Sequence, residues 1–177
     1  MKDDGVVLAI MPCSRGLGYV VFENPFVAMD WGVKQVRLRQ VRDALLKAQV
    51  LMHMLQPSVL VLEDVDDARC RRSKRVKVLI EKLMELAAEQ GVAVGRCSRW
   101  EVRMMFGRMG AVTKDDIAER IAVVVPELAP RLPPRRRIWE SEHHSMAIFE
   151  AAALALTHMR SDEAGGGSWS GAGGVES

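Results

Sequence analysis

Two apolar runs stand back to back near the start of the chain, Val6 to Met11 and Leu17 to Glu23. The segment between them, Pro12 to Gly16, is turn vocabulary, so residues 6–11 and 17–23 are expected as paired strands. Asn24-Pro25 leads into a third β-rich run, about Phe26 to Val36, and the three form an antiparallel meander. The period then changes. Val41, Leu45, Ala48, Met52 and Leu55 recur at helical spacing, and Pro57 ends that helix. Val59-Leu60-Val61-Leu62 is continuously apolar, as suits a strand covered on both faces, and it stops abruptly at Glu63-Asp64.

A second amphipathic helix carries Val76, Leu79, Ile80, Leu83 and Ala87, closes at Gly91, and feeds the short strand Val92-Ala93-Val94. Ser98 with Glu101 has the form of a capping box, and Thr113 to Asp116 opens another helix with Ile117, Ile121 and Val124 on one face. Pro130 to Pro134 is a stiff basic connector, and a last helix is expected from about Ser145 to Arg160. Residues 1–160 read as one domain. Residues 161–177, dominated by Gly and Ser from Gly165 onward, read as a disordered tail. Strands giving way to βαβ crossovers imply an α/β fold, a mixed five-stranded sheet with helices on its faces.

Composition narrows the function classes. At 177 residues the chain suits one domain with a sizeable core. A net charge of +2 gives no global field for nucleic acid, so that case rests on local clusters. Cys13, Cys70 and Cys97 lack metal-type spacing and read as reduced thiols. Cys13 has no acid or His beside it in sequence and reads as packing, not as a nucleophile. No apolar run reaches the roughly 18 residues of a membrane span, and the opening Met1 to Asp4 is unlike a signal peptide. A cytoplasmic protein is the expectation.

Three carboxylate positions carry the chemistry. Glu63 terminates a strand, where open α/β sheets place their sites, although a solvated strand end fits as well; Asp64 is the substitute if the register slips. Glu150 lies between Met146 to Phe149 and Ala151 to Leu156, in a helix apolar on nearly every side. A carboxylate there is costly unless it is paired or metal-bound. Glu142 and His143 lie upstream. If the last helix extends back to them, His143 falls nearly on the Glu150 face as a metal ligand or proton shuttle; a solvated helix start is the alternative. Arg69, Arg71, Arg72, Lys74, Arg75 and Lys77 crowd the start of the second helix, a phosphate-attracting patch or a solvated face. Arg135, Arg136 and Arg137 add phosphate contacts and Trp139 a stacking surface. Arg15 faces the expected site from the first turn. Trp31 and Trp100 read as core packing.

The hairpin around Ser14 to Tyr19, the strand end Val59 to Asp64, and the helix Met146 to His158 resemble, in order, the three acidic motifs of RuvC-like nucleases, a branch of the ribonuclease H-like superfamily. The resemblance covers roughly residues 5–160. It implies the ribonuclease H-like fold, cleavage of branched or structured DNA (RNA left open), a homodimer, and two Mg2+ or Mn2+ ions held by carboxylates. It places Glu63 at the second acidic position, Glu150 at the last, and Glu142 or His143 near the remaining one, since Ala147 stands where a further acid is expected. It also exposes a departure. The residue ending the first strand is a metal-binding aspartate in that family, and here it is Met11, a soft neutral ligand unsuited to hard cations. A loss on the order of 100- to 10,000-fold in rate is implied, so the reading is an eroded nuclease or a non-cleaving relative that binds DNA.

Overall fold

The computed structural model describes residues 5–36 and 41–164. Strands β1 (Val7–Cys13), β2 (Gly16–Asn24) and β3 (Val27–Gln35) form the meander. They are followed by α1 (Val41–Leu55), β4 (Val59–Glu63), α2 (Lys74–Glu89) and β5 (Ala93–Cys97). Three more helices complete the chain, α3 (Arg99–Gly107), α4 (Lys114–Val124) and α5 (Met146–Ala164), with a 3-10 turn at Pro126–Arg131. The sheet order is β3-β2-β1-β4-β5, with β1 antiparallel to β2 and parallel to β4, and β4 parallel to β5. This is the mixed five-stranded α/β sheet that the sequence implies.

Some boundaries move. Pro12 and Cys13 belong to β1, so the first turn shrinks to Ser14 and Arg15. Strand β5 runs on through Gly95 and Arg96 to Cys97, carried by its parallel pairing with β4 as far as Glu63. Helix α5 begins only at Met146 and continues to Ala164, so 161–164 are helical; the rest of the expected tail, 165–177, lies outside the described residues. No described helix is long and apolar enough to cross a membrane.

The two-residue period of the strands divides the core into two layers. Leu8, Ile10, Leu60 and Leu62 face α1 and α2, which supply Ala48, Met52, Leu79, Ile80 and Leu83. Val7, Ala9, Met11 and Val61 face the other way, onto Ile148, Phe149, Ala152 and their neighbours in α5. Helix α5 is buried at every position from Met146 to Thr157 except Glu150. This explains its apolar sequence: it lies between the sheet on one side and α3 and α4 on the other.

The seat of α5 depends on Gly18. A Cβ there would lie 2.5 Å from the Ala147 Cβ and 2.6–2.7 Å from the Ala147 backbone carbonyl. A methyl group has no flexible side chain to displace, so the helix itself would have to shift. Gly18→Ala is expected to lower stability by about 1–3 kcal/mol, read as a lower urea midpoint at unchanged slope. A midpoint equal to that of the parent would mean the helix start is not fixed by this contact.

Candidate nucleic-acid interface and the ion-paired centre

Strand parity brings the candidate residues to one place. The β1–β4 register pairs Val7 with Val59 and Ala9 with Val61. Met11 and Glu63, each two residues further on, therefore leave the C-terminal ends of adjacent parallel strands on the α5 face. Helix α5 brings Glu150 to the same face. Glu63 is only 2% exposed and Met11 only 3%.

Cations fill the space among these groups. The Arg72 Nε donates to Glu63 Oε2 at 2.6 Å, and its Nη2 approaches the Met11 sulfur at 3.1 Å. Arg99 bridges the two acids, with Nε 3.0 Å from Glu63 Oε1 and Nη2 3.4 Å from Glu150 Oε1. The Lys114 ammonium lies 2.7 Å from Glu150 Oε1 and 2.9 Å from Glu142 Oε2. Three carboxylates thus meet three cations, and both oxygens of Glu63 are taken by guanidinium groups. Burying a carboxylate as deeply as Glu63 is costly without such partners, because desolvation must be offset by close charge-assisted hydrogen bonds.

The divalent metal implied by the resemblance needs free carboxylate oxygens on hard donors. Glu63 has none to give, Glu150 shares Oε1 between two cations, and the first position offers a thioether. Among the described residues no group of three or more His, Cys, Asp or Glu side chains is disposed to hold a metal ion. The residues present do not fit Mg2+ or Mn2+. Of the expected metal set, Glu63, Glu150 and Glu142 are held by cations in this arrangement, and Asp64 pairs with Arg96.

Several other expected residues are placed differently. Asp64 is turned away: its Oδ1 accepts from Arg96 at 2.6 Å and from the Asp66 N–H at 3.1 Å, and Asp66 pairs with Arg96 too. His143 and Glu142 precede α5, so they have no helical face to share with Glu150. The His143 Nδ1 meets the Ser145 hydroxyl at 2.6 Å and the Ser145 N–H at 3.2 Å, the geometry of a helix-start brace. Its ring stacks on His144 at 4.3 Å. His144 is held below its ordinary range by desolvation first, then by the charges of His143, Arg15 and Arg131. Burial pushes the Cys13 thiol up and the Cys97 thiol to about 12, so neither is an activated nucleophile.

The basic residues separate into two groups. Arg72 belongs to the centre. Arg69 pairs with Asp67 at 3.7 Å and stacks on Trp100, its guanidinium 4.7 Å from the ring centroid. Trp100 is 47% exposed, which corrects the core-packing expectation, whereas Trp31 does pack against the core. Arg135 is committed to Glu119 and Asp116 at 2.6–2.9 Å. The Arg137 N–H donates to Glu140 Oε2 in its own turn, and the Arg137 guanidinium lies over Trp139. Arg15, Arg71, Lys74, Arg75, Lys77 and Arg136 form no ion pair among the described residues.

Arg99 and Lys114 were not legible as site residues, yet a signal existed. Each directly follows a capping residue, Ser98 or Thr113, and so stands at the first position of its helix. The helix dipole disfavours a cation there, so such a placement calls for a nearby carboxylate. Here the carboxylates are Glu63, Glu150 and Glu142.

No family model and no curated protein matches the sequence. Solved structures do. The Thermus thermophilus RuvC structure is similar at a TM-score of 0.67 and 19% identity, over 90% of this chain and 96% of that one. T. thermophilus RuvC in complex with a Holliday junction substrate gives 0.65 and 17%, over 90% and 96%. The yeast mitochondrial Holliday junction resolvase gives 0.57 and 14%, over 87% and 78%. The chain has a RuvC-like fold. Within that fold the C-terminal ends of β1 and β4, beside α5, hold a neutral ion-pair cluster.

Proposed function

We propose that this protein binds branched DNA through its RuvC-like fold without cutting it, the metal centre of a nuclease being replaced by the Glu63–Arg72–Arg99–Glu150–Lys114 cluster. One observation carries the reading: the carboxylates that would clamp two metals are already neutralised by side chains of the chain itself. Two-metal hydrolysis needs metals to generate the nucleophile and to stabilise the leaving oxygen, and this donor set supplies neither service.

Binding rests on the cations outside the cluster. Arg71, Lys74, Arg75 and Lys77 lie just before and in the first turn of α2, within five residues of Arg72. Lys74 also opens its helix behind the Ser73 cap, so an ammonium with no ion pair among the described residues coincides with the positive helix end. Arg136, in the segment before α5, and Arg15, in the β1–β2 turn, are further exposed cations. The T. thermophilus RuvC complex contains a Holliday junction substrate, which supports a branched DNA ligand for this chain. Homodimerisation on such a two-fold substrate belongs to the same proposal.

Titrating Mn2+ and Mg2+ against fluorescent four-way and linear DNA, with binding and cutting scored separately, tests this reading. Expected is junction binding with no cutting at any metal concentration. With about five phosphates neutralised, affinity falls several-hundred-fold between about 50 and 200 mM salt. Metal-stimulated cutting, abolished by Glu63→Gln, would instead establish the eroded-nuclease reading.

A further inference from the structure

Ile138 and Trp139 are 97% and 78% exposed, more than any other large apolar side chains described. They occupy the two central positions of a tight turn, closed by the Glu140 N–H donating to the Arg137 carbonyl at 3.0 Å. Turn centres favour Gly, Pro, Asn or Asp, so nothing in the turn itself calls for isoleucine and tryptophan. The core does not claim them either.

This turn is held firmly. Arg135 grips Glu119 and Asp116 on α4, and the Arg137 N–H donates to Glu140 Oε2 at 3.0 Å. Asp116 is in turn held well below the usual carboxylate range, first by the Thr113 N–H and then by Arg135. On the far side, Glu142 is tied to Lys114, which also holds Glu150. The apolar tip is therefore tied to α4 on one side and, through Glu142 and Lys114, to the ion-paired centre on the other. The Arg137 guanidinium lies 5.7 Å from the Trp139 ring centroid, and Arg136, the neighbouring residue, is exposed.

We propose that the Ile138–Trp139 turn is a wedge that enters DNA at an opened base step, Trp139 stacking on the exposed base while Arg136 and Arg137 hold the flanking phosphates. This rests on the DNA-binding reading above. Apolar wedges trade the cost of unstacking against stacking on the protein, and the cost is least where stacking is already interrupted, as at a branch point. The adjacent arginines favour a phosphate-bearing partner over an apolar protein surface.

The full-length protein is compared with Trp139→Ala, Trp139→Phe and Ile138→Ser on a four-way junction and on linear duplex of the same sequence. Affinity is read by fluorescence anisotropy, and base unstacking by permanganate oxidation of thymines at the branch. Trp139→Ala is expected to weaken junction binding about tenfold to a hundredfold while linear binding changes less than about threefold. Trp139→Phe keeps most of the affinity, and branch thymines become reactive with the parent but not with Trp139→Ala. Both side chains are exposed, so these variants fold. Parent-like junction affinity in Trp139→Ala and Ile138→Ser would overturn the wedge and leave DNA binding standing. An equal loss on junction and linear duplex would make the loop a phosphate clamp and overturn it as well. A parent that binds neither DNA overturns both readings, and the tip then belongs to a protein contact.

Discussion

Glu63→Ala is expected to destabilise the protein by about 3 kcal/mol, lowering Tm by roughly 6–12 °C. The sign is the informative part. In a metal centre stripped of its ions, neighbouring carboxylates repel, and neutralising one relieves that repulsion. In the cluster seen here Glu63 sits between Arg72 and Arg99, and removing it leaves two guanidinium groups facing each other beside a partly buried Glu150. The lower end of the usual cost for breaking a buried pair applies, because Arg72 and Arg99 are 21% and 43% exposed and recover some hydration. Thermal unfolding followed by fluorescence, with and without Mg2+, reads the effect. An unchanged or raised Tm would mean that the carboxylates are not held by these cations.

Met11→Asp alone is expected to produce neither Mn2+ binding nor cleavage. An aspartate oxygen stands as many bonds from the backbone as the methionine sulfur, which already lies 3.1 Å from the Arg72 guanidinium. The new carboxylate therefore acquires Arg72 as a second salt bridge and closes the cluster further. Restoring a metal site requires removal of the cations too. Combining Met11→Asp with Arg72→Ala, Arg99→Ala and Lys114→Ala leaves Asp at 11 with Glu63, Glu150 and Glu142, four carboxylates without partners from the cluster. For that variant Mn2+ at about 100 times its Kd adds about 2.7 kcal/mol, a Tm rise of about 5–11 °C. The parent and the single variant gain nothing from the same addition. Mn2+-dependent stabilisation or junction cutting in Met11→Asp itself would show that Arg72, Arg99 and Lys114 do not block the site.

These two expectations rest on residues whose legibility in the sequence differed. Glu63 and Glu150 stood out because each breaks a local pattern: one ends a continuous apolar strand, the other interrupts a helix apolar on all sides. Arg72 was visible only as one base among six, and its local context gives no reason to separate it from Arg71 or Lys74. Its role comes from the reach of a guanidinium back over the end of β4. For His143 the sequence left two readings, and the start of α5 at Met146 removes the one that shared the Glu150 face: the His143 side chain braces the Ser145 backbone. Trp100 was assigned to the core by its residue type, but it stands one position past Arg99 on an exposed helix start, where Arg69 covers it.

Local periodicity alone determined the strands and helices, because strand parity and helix spacing are written in neighbouring residues, whereas the shared face of Met11 and Glu63 came from the β1–β4 pairing. The capping boxes at Ser98 and Thr113 were equally local. Only the tertiary structure decided what surrounds the acids. Arg99 and Lys114 come from separate helices, and whether a carboxylate meets a metal or a guanidinium depends on where those helix starts dock. Docking is set by burial along the whole of α5 and the sheet, and a cation at a helix start signals that some carboxylate is near without saying which one.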